Sequence, residues 1–168
     1  MAVVLLLGLA LGGVSSNLNA FVPGQQTDSA ARQIIGDLDL ARSAAIASGR
    51  AFYLEVDLDL NQYRVISPFT SEGRVARTKE DRTDLGMQYL PKGVFMSGLL
   101  YSGTEEMMVS GLHTIEFHHS GFMNDISVQL SNEAGDSYGL TVVMGALSGK
   151  TLVHDGTFAP VRVTDADF

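Results

Sequence analysis

Few residues in this chain are of a type that does chemistry, and their spacing argues against it. Asp57-Leu58-Asp59-Leu60-Asn61 sets side-chain oxygens at alternate positions, as the opening of an EF-hand calcium loop does. Position six of that loop is Gln62 where a sharp turn needs glycine, and position twelve is Pro68 where a bidentate Glu belongs. A hairpin turn explains the same residues, and calcium is rejected there. The histidines are His113, His118, His119 and His154. Strand alternation puts His113, Ile115, Phe117 and His119 on one face and His118 on the other, so the adjacent pair points apart and cannot converge on a metal. A serine nucleophile needs an elbow of the GxSxG kind, which is absent; Gly12-Gly13-Val14-Ser15-Ser16 lies in an oily stretch. With no cysteine there is no thiolate ligand, thiol nucleophile or disulfide framework. No phosphate loop or dinucleotide fingerprint occurs. No catalytic residue, cofactor or metal is therefore assigned. Met107-Met108 and Met123 could line an adaptable contact surface, although methionines that fill core gaps are commoner.

The elements that would position any site come from composition and patterning. A chain of 168 residues holds one domain plus an appended segment, and 45% hydrophobic content with 18% charged residues supplies a core. Nineteen acidic against eleven basic residues give a net charge of −8, so no nucleic-acid partner is expected. No charged residue precedes Asp28, and Met1 to Val14 contains only apolar residues and glycine. That composition suits lipid or removal. As a helix this run rises about 21 Å, some six residues short of a bilayer core about 30 Å thick. Two readings stay open. A secretory signal peptide cut at Leu18-Asn19-Ala20 would leave a secreted, soluble β-domain binding protein, but its basic n-region is missing. A retained membrane helix, truncated at its start, accounts for the length deficit. Its packing face would then be Val4, Leu5, Gly8, Leu9, Gly12 and Gly13, with Gly8 and Gly12 as a GxxxG pair, although glycine is frequent enough here for such a pair to arise by chance.

After a break at Phe21-Val22-Pro23-Gly24, Asp28 to Ser48 reads as an amphipathic helix. Ala31, Ile34, Ile35, Leu38, Ala41, Ala45 and Ile46 form one apolar stripe. Asp28 is expected in the first turn and Gly49 just past the last. The period then changes to two. Phe52, Leu54, Val56 and Leu58 alternate with Tyr53, Glu55 and Asp57, and Asp59 to Gln62 turn the chain into Tyr63 to Ser67. Arg77 to Asp84 reads as an exposed charged loop. Strands are expected near Val94 to Tyr101, Leu112 to Phe117, Ile126 to Leu130, Leu140 to Met144 and Thr151 to His154. In the third of these, Ile126, Val128 and Leu130 are expected to face inward and Ser127 and Gln129 outward. Turns are expected at Gly121, Gly135, Gly145, Gly149 and Gly156, and a frayed tail at Thr164 to Phe168. The fold class is α+β: a hydrophobic segment (1–27), an amphipathic helix (28–49) and an antiparallel β domain (50–168). The helix and sheet should meet through Ile34, Leu38, Ala41, Ala45, Phe52, Leu54 and Val56.

Ala41-Arg42-Ser43-Ala44-Ala45-Ile46-Ala47-Ser48-Gly49-Arg50, the strand after it and Tyr63-Arg64-Val65 together resemble the type IV pilin-like family. The nearest resemblance is to H-type minor pseudopilins of type II secretion and related minor pilins. Ile115-Glu116-Phe117 with Gly121, then Ile126-Ser127-Val128-Gln129-Leu130, is similar to that family's C-terminal strand pair. The resemblance implies a long N-terminal helix on an antiparallel sheet and a structural, non-enzymatic role in a pseudopilus or pilus. It implies a single-pass protein of the bacterial inner membrane, with its domain in the periplasm and other pseudopilins or pilins as partners. It also implies that Met1 is an internal residue. Prepilin peptidase and methylation of the first mature residue would then apply only if a leader lies upstream.

Overall fold

The computed structural model describes residues 2–101, 104, 106–121, 125–132, 139–145 and 150–156, with side chains described from Gly24 onward. The chain opens with one helix, α1 (Ala2–Ser48), of 47 residues. The expected break at Phe21 to Gly24 is absent. Proline forfeits one backbone hydrogen bond and its fixed φ is already helical, so intact turns on either side carry the helix through Pro23. Asp28 therefore sits mid-helix, and no acidic residue occupies the first turn. The end is sharply defined. Gly49 has φ +66, its N–H donates to Ile46 O at 3.4 Å, and Arg50 N–H donates to Ala45 O at 3.2 Å, the paired bonds of a Schellman cap.

Beyond the helix the described residues form eight strands: β1 (Phe52–Asp57), β2 (Gln62–Ile66), β3 (Asp84–Tyr89), β4 (Val94–Tyr101), β5 (Leu112–Phe117), β6 (Ile126–Asn132), β7 (Gly139–Met144) and β8 (Thr151–Asp155). They form two antiparallel sheets, ordered β3-β2-β1-β5 and β4-β6-β7-β8. One core joins both sheets to the helix. Phe52, Leu54 and Val56 of β1 and Ile115 and Phe117 of β5 supply one wall, and Val128, Leu130, Leu140 and Val142 the other. The hydrophobic pattern does not predict β3, because its residues are largely exposed and carry no alternation to read. Ile46 departs from its expected place and is 48% exposed, because it lies about 100° round the helix from fully buried Ala45, at the margin of the stripe; Ile35 is only half-buried.

A further departure concerns β6, where Ser127 and Gln129 are buried along with their apolar neighbours. Both faces of that strand are covered, so alternation does not separate inside from outside. Met107 packs against Gly98: a Cβ added there would come within 2.3 Å of Met107 Sδ. Met108 pairs with Leu99, its N–H donating to Leu99 O at 2.9 Å and its carbonyl accepting at 2.8 Å. These two methionines fill gaps along β4. Gly121 and Gly156 adopt positive φ, whereas Met123, Gly135, Gly149 and Thr164 to Phe168 lie outside the described residues.

Asn61 joins the two sheets. In the β1–β2 turn it takes φ +53, a left-handed conformation that Asn tolerates better than most residues. Its Nδ2 donates to Val94 O at 2.7 Å and its Oδ1 accepts from Met96 N–H at 2.9 Å. One side-chain amide thus occupies the place of a neighbouring strand along the start of β4 and, with Met108, blunts that edge.

Candidate functional site

The helix stripe and the two sheets meet in one buried junction. Ile34, Leu38, Ala41, Ala45, Phe52, Leu54 and Val56 are each at most 6% exposed. The small residues Ala30, Ala41 and Ala45 let the helix backbone approach the strands, while Ile34 and Leu38 fill the space between them. Burial of each large aliphatic side chain stabilises by about 1.5–3 kcal/mol.

Polar bonds fix the helix rotation on this bed. Tyr63, 2% exposed, donates its hydroxyl to Asp37 Oδ2 at 2.7 Å. Burial first, and the adjoining Asp37 carboxylate second, push the Tyr63 phenol far above its ordinary value near 10 and keep it protonated. Gln33 Nε2 donates to Gln88 Oε1 at 3.4 Å, Arg42 Nε donates to Gly121 O at 3.4 Å, and Thr151 Oγ1 donates to Asp39 Oδ1 at 3.2 Å. Both sheets are thereby tied to α1. Composition and periodicity give no sign of the Asp37–Tyr63 pair. Its one signal is a tyrosine at an inward position of β2, since a buried phenol requires an acceptor.

Above Thr27 α1 continues toward Ala2, a further rise of about 37 Å. Val4, Leu5, Gly8, Leu9, Gly12 and Gly13 lie on this part of the helix, where side chains are not described. Gly8 and Gly12, four apart, share a helix face. Among the residues with described side chains, no helix is long and apolar enough to cross a membrane.

The residues considered for chemistry are held in structural roles. Asp57 Oδ1 accepts from Asp59 N–H at 3.1 Å and Leu60 N–H at 3.0 Å, and Asp59 Oδ2 accepts from Gly111 N–H at 3.1 Å, so both carboxylates shape the hairpin. The expectation that His118 and His119 point apart is overturned: their rings lie 4.0 Å apart between centroids. β5 ends at Phe117, and Gly121 N–H donates to His118 O at 2.9 Å, so a turn replaces strand alternation there. Among the described residues no group of three or more His, Asp or Glu could hold a metal. The outer face of the β3-β2-β1-β5 sheet carries a groove of about 790 Å³ beneath the β2–β3 loop. Arg82 roofs it, 4.4 Å above the Tyr53 ring. Arg64 grips Glu55 Oε2 through Nε at 2.9 Å and Nη2 at 2.7 Å and reaches Asp84 at 3.3 Å, so its guanidinium is spent within the fold.

Comparison with known proteins places this architecture. The pattern that defines the family described as Type II transport protein GspH matches residues 30–148, well over half of the chain. The chain belongs to the GspH family. That makes it a structural subunit of a type II secretion pseudopilus or a type IV pilus. Two structures of the minor pseudopilin EpsH from the type 2 secretion system of Vibrio cholerae are similar to it. One has TM-score 0.53 at 15% identity, covering 77% of this chain and 97% of that one; the other has 0.55 at 14%, covering 78% and 97%. The type IV minor pilin FimU of Pseudomonas aeruginosa is similar at TM-score 0.51 and 14% identity, covering 77% of this chain and 89% of that one. At such identities the likeness is one of fold. No curated protein matches this GspH-family chain in sequence.

Proposed function

We propose that this chain is a minor subunit that primes or caps a short secretion pseudopilus or a pilus, working through α1 and not through a catalytic site. Before assembly the uncharged start of α1 is held by the inner membrane, with the acidic domain in the periplasm. On assembly that helix exchanges lipid for the helices of neighbouring pseudopilins or pilins, which approach closely at Gly8, Gly12 and Gly13. The observation that carries the reading is the continuity of α1 from Ala2 to Ser48: the apolar start runs without a break into the stripe that the two sheets bury. Removing the first twenty residues as a signal peptide would cut through the middle of this helix.

The test is the mature N-terminus of the protein taken from cells, read by mass spectrometry together with its partition between membrane and aqueous fractions. The reading expects the apolar run to be retained in the membrane or filament fraction. A mature chain beginning at Phe21 in the aqueous fraction would overturn it.

A further inference from the structure

Four large apolar side chains stand exposed around the seam where the two sheets meet. Leu60 (65% exposed) lies in the β1–β2 turn, Leu112 (62%) opens β5, Val109 (66%) precedes it and Phe95 (40%) lies on β4. Hydrogen bonds bring their segments together. Leu58 N–H donates to Gly111 O at 3.1 Å, Gly111 N–H donates to Asp59 Oδ2 at 3.1 Å, and Asn61 holds the backbone on either side of Phe95. Beside Val109 a concavity of about 930 Å³ follows the chain from Thr104 to Ser110, with Met107 and Met108 in its wall. Both methionines are half-buried, so the side that does not fill gaps along β4 is open to a partner, and their flexible thioether chains adapt to its shape. A single exposed aliphatic residue needs no explanation, whereas several gathered beside a concavity mark an interaction surface.

The patch lies toward the end of the domain from which α1 projects. Gly121, past the end of β5, meets Arg42; Tyr63 of β2 meets Asp37, and Gln88 of β3 meets Gln33. Passing along the sheet from Gly121 to Tyr63 therefore climbs α1 toward its start. The row Tyr89, Gln62, Asp57 and Leu112 lies one step further on. This is the side from which a neighbour packed on the start of α1 arrives.

Position and charge select the occupant. With Met1 to Val14 in lipid, α1 rises about 20 Å from Val14 to Thr27, where burial against the domain begins among the described side chains. A headgroup layer is about 5–8 Å thick, so the patch stands clear of the bilayer. Asp57, Asp59 and Glu106 border the patch, against Lys92 in the β3–β4 turn, and the whole chain carries −8. A second copy would meet this rim with the same net negative charge, which weighs against self-association.

We propose that this seam patch is the face on which a different pilin-like subunit of the filament docks, its apolar anchor entering the concavity beside Val109 and its basic rim meeting Asp57, Asp59 and Glu106. The proposal rests on the reading of α1 as the element of assembly, which fixes the side from which the neighbour comes.

Photo-cross-linking in cells that assemble the filament tests it. A benzophenone amino acid in place of Val109 is expected to link to a different pilin-like subunit, identified by mass spectrometry, several-fold more than the same group in place of Val75, exposed in the β2–β3 loop at the opposite end of the sheet. No adduct from position 109 in a filament fraction that contains the protein overturns the patch and leaves the reading of α1 standing; absence of the protein from that fraction overturns both. An adduct with a second copy, or a dimer of the full chain in detergent that Val109→Glu dissociates, assigns the face to self-association and also overturns the proposal. The double variant Val109→Glu, Leu112→Glu puts charge into the contact at two exposed positions, so its Tm is expected to stay unchanged while its incorporation into the filament falls at least about tenfold. Undiminished incorporation would refute the patch.

Discussion

Replacing Tyr63 by Phe isolates the polar bond that orients α1 on its bed. The substitution keeps the buried ring and deletes only the hydroxyl, 2.7 Å from Asp37 Oδ2. A hydrogen bond to a charged group contributes about 1.5–3 kcal/mol. Asp37 is half-buried and can recruit water, so the lower part of that range applies, about 1.5–2 kcal/mol. For a chain of this size the loss lowers Tm by about 3–8 °C. The pH dependence adds a second signature. Burial raises the Tyr63 pKa above its unfolded value near 10, so the stabilising contribution is fully present below about pH 10 and is lost as pH rises toward the folded value. The wild-type chain should therefore lose stability above pH 10 more steeply than Tyr63→Phe. Urea melts followed by circular dichroism at pH 7 and pH 10.5 read both effects, and the Asp37→Asn cycle isolates the pair. A loss below about 0.5 kcal/mol at pH 7, or identical alkaline slopes, would refute the assignment.

Leu38→Ala removes a side chain 2% exposed at the centre of the helix–sheet junction and should cost about 3 kcal/mol in chemical denaturation. Asn61→Ala deletes both bonds to β4 and leaves a non-glycine residue at positive φ; a cost of about 2–3 kcal/mol is expected, with faster amide exchange along β4 in particular. Ser127→Ala removes a buried hydroxyl that has no partner and should leave Tm unchanged or raise it by a few degrees, which differential scanning calorimetry would show.

Much of this fold is legible in the sequence because its signals are local. The stripe through Ile34, Leu38, Ala41 and Ala45 and the alternation of Phe52, Leu54 and Val56 each state which face is buried, and the sheets bury those faces. Legibility fails where tertiary context overrides local rules. Pro23 reads as a breaker, yet the flanking turns continue the helix. Ser127 and Gln129 read as outward until the second face of β6 is covered, a fact that no single strand records. Edge strand β3 buries little and so leaves no pattern. Tyr63 and Asp37 lie 26 positions apart in the chain, and Asn61 and Met96 35 apart. Such pairs are visible only once the sheets exist. The proposed assembly face at Val4, Leu5, Gly8, Leu9, Gly12 and Gly13 is read from composition, since lipid and close helix packing demand apolar and small residues whatever the domain does.

The central claim is that the apolar start of α1 is the element of assembly, and the absence of cysteine makes it directly measurable. Single cysteines at Gly8, at Gly12 and, for contrast, at exposed Arg32 can be oxidised or bridged by a short bis-maleimide in cells that assemble the filament. The account predicts cross-links from Gly8 and Gly12 to a neighbouring subunit's helix in the filament fraction, and few from Arg32. Cysteines at Gly8 and Gly12 that remain unlinked in the filament fraction, or a filament from which the protein is absent, would contradict it.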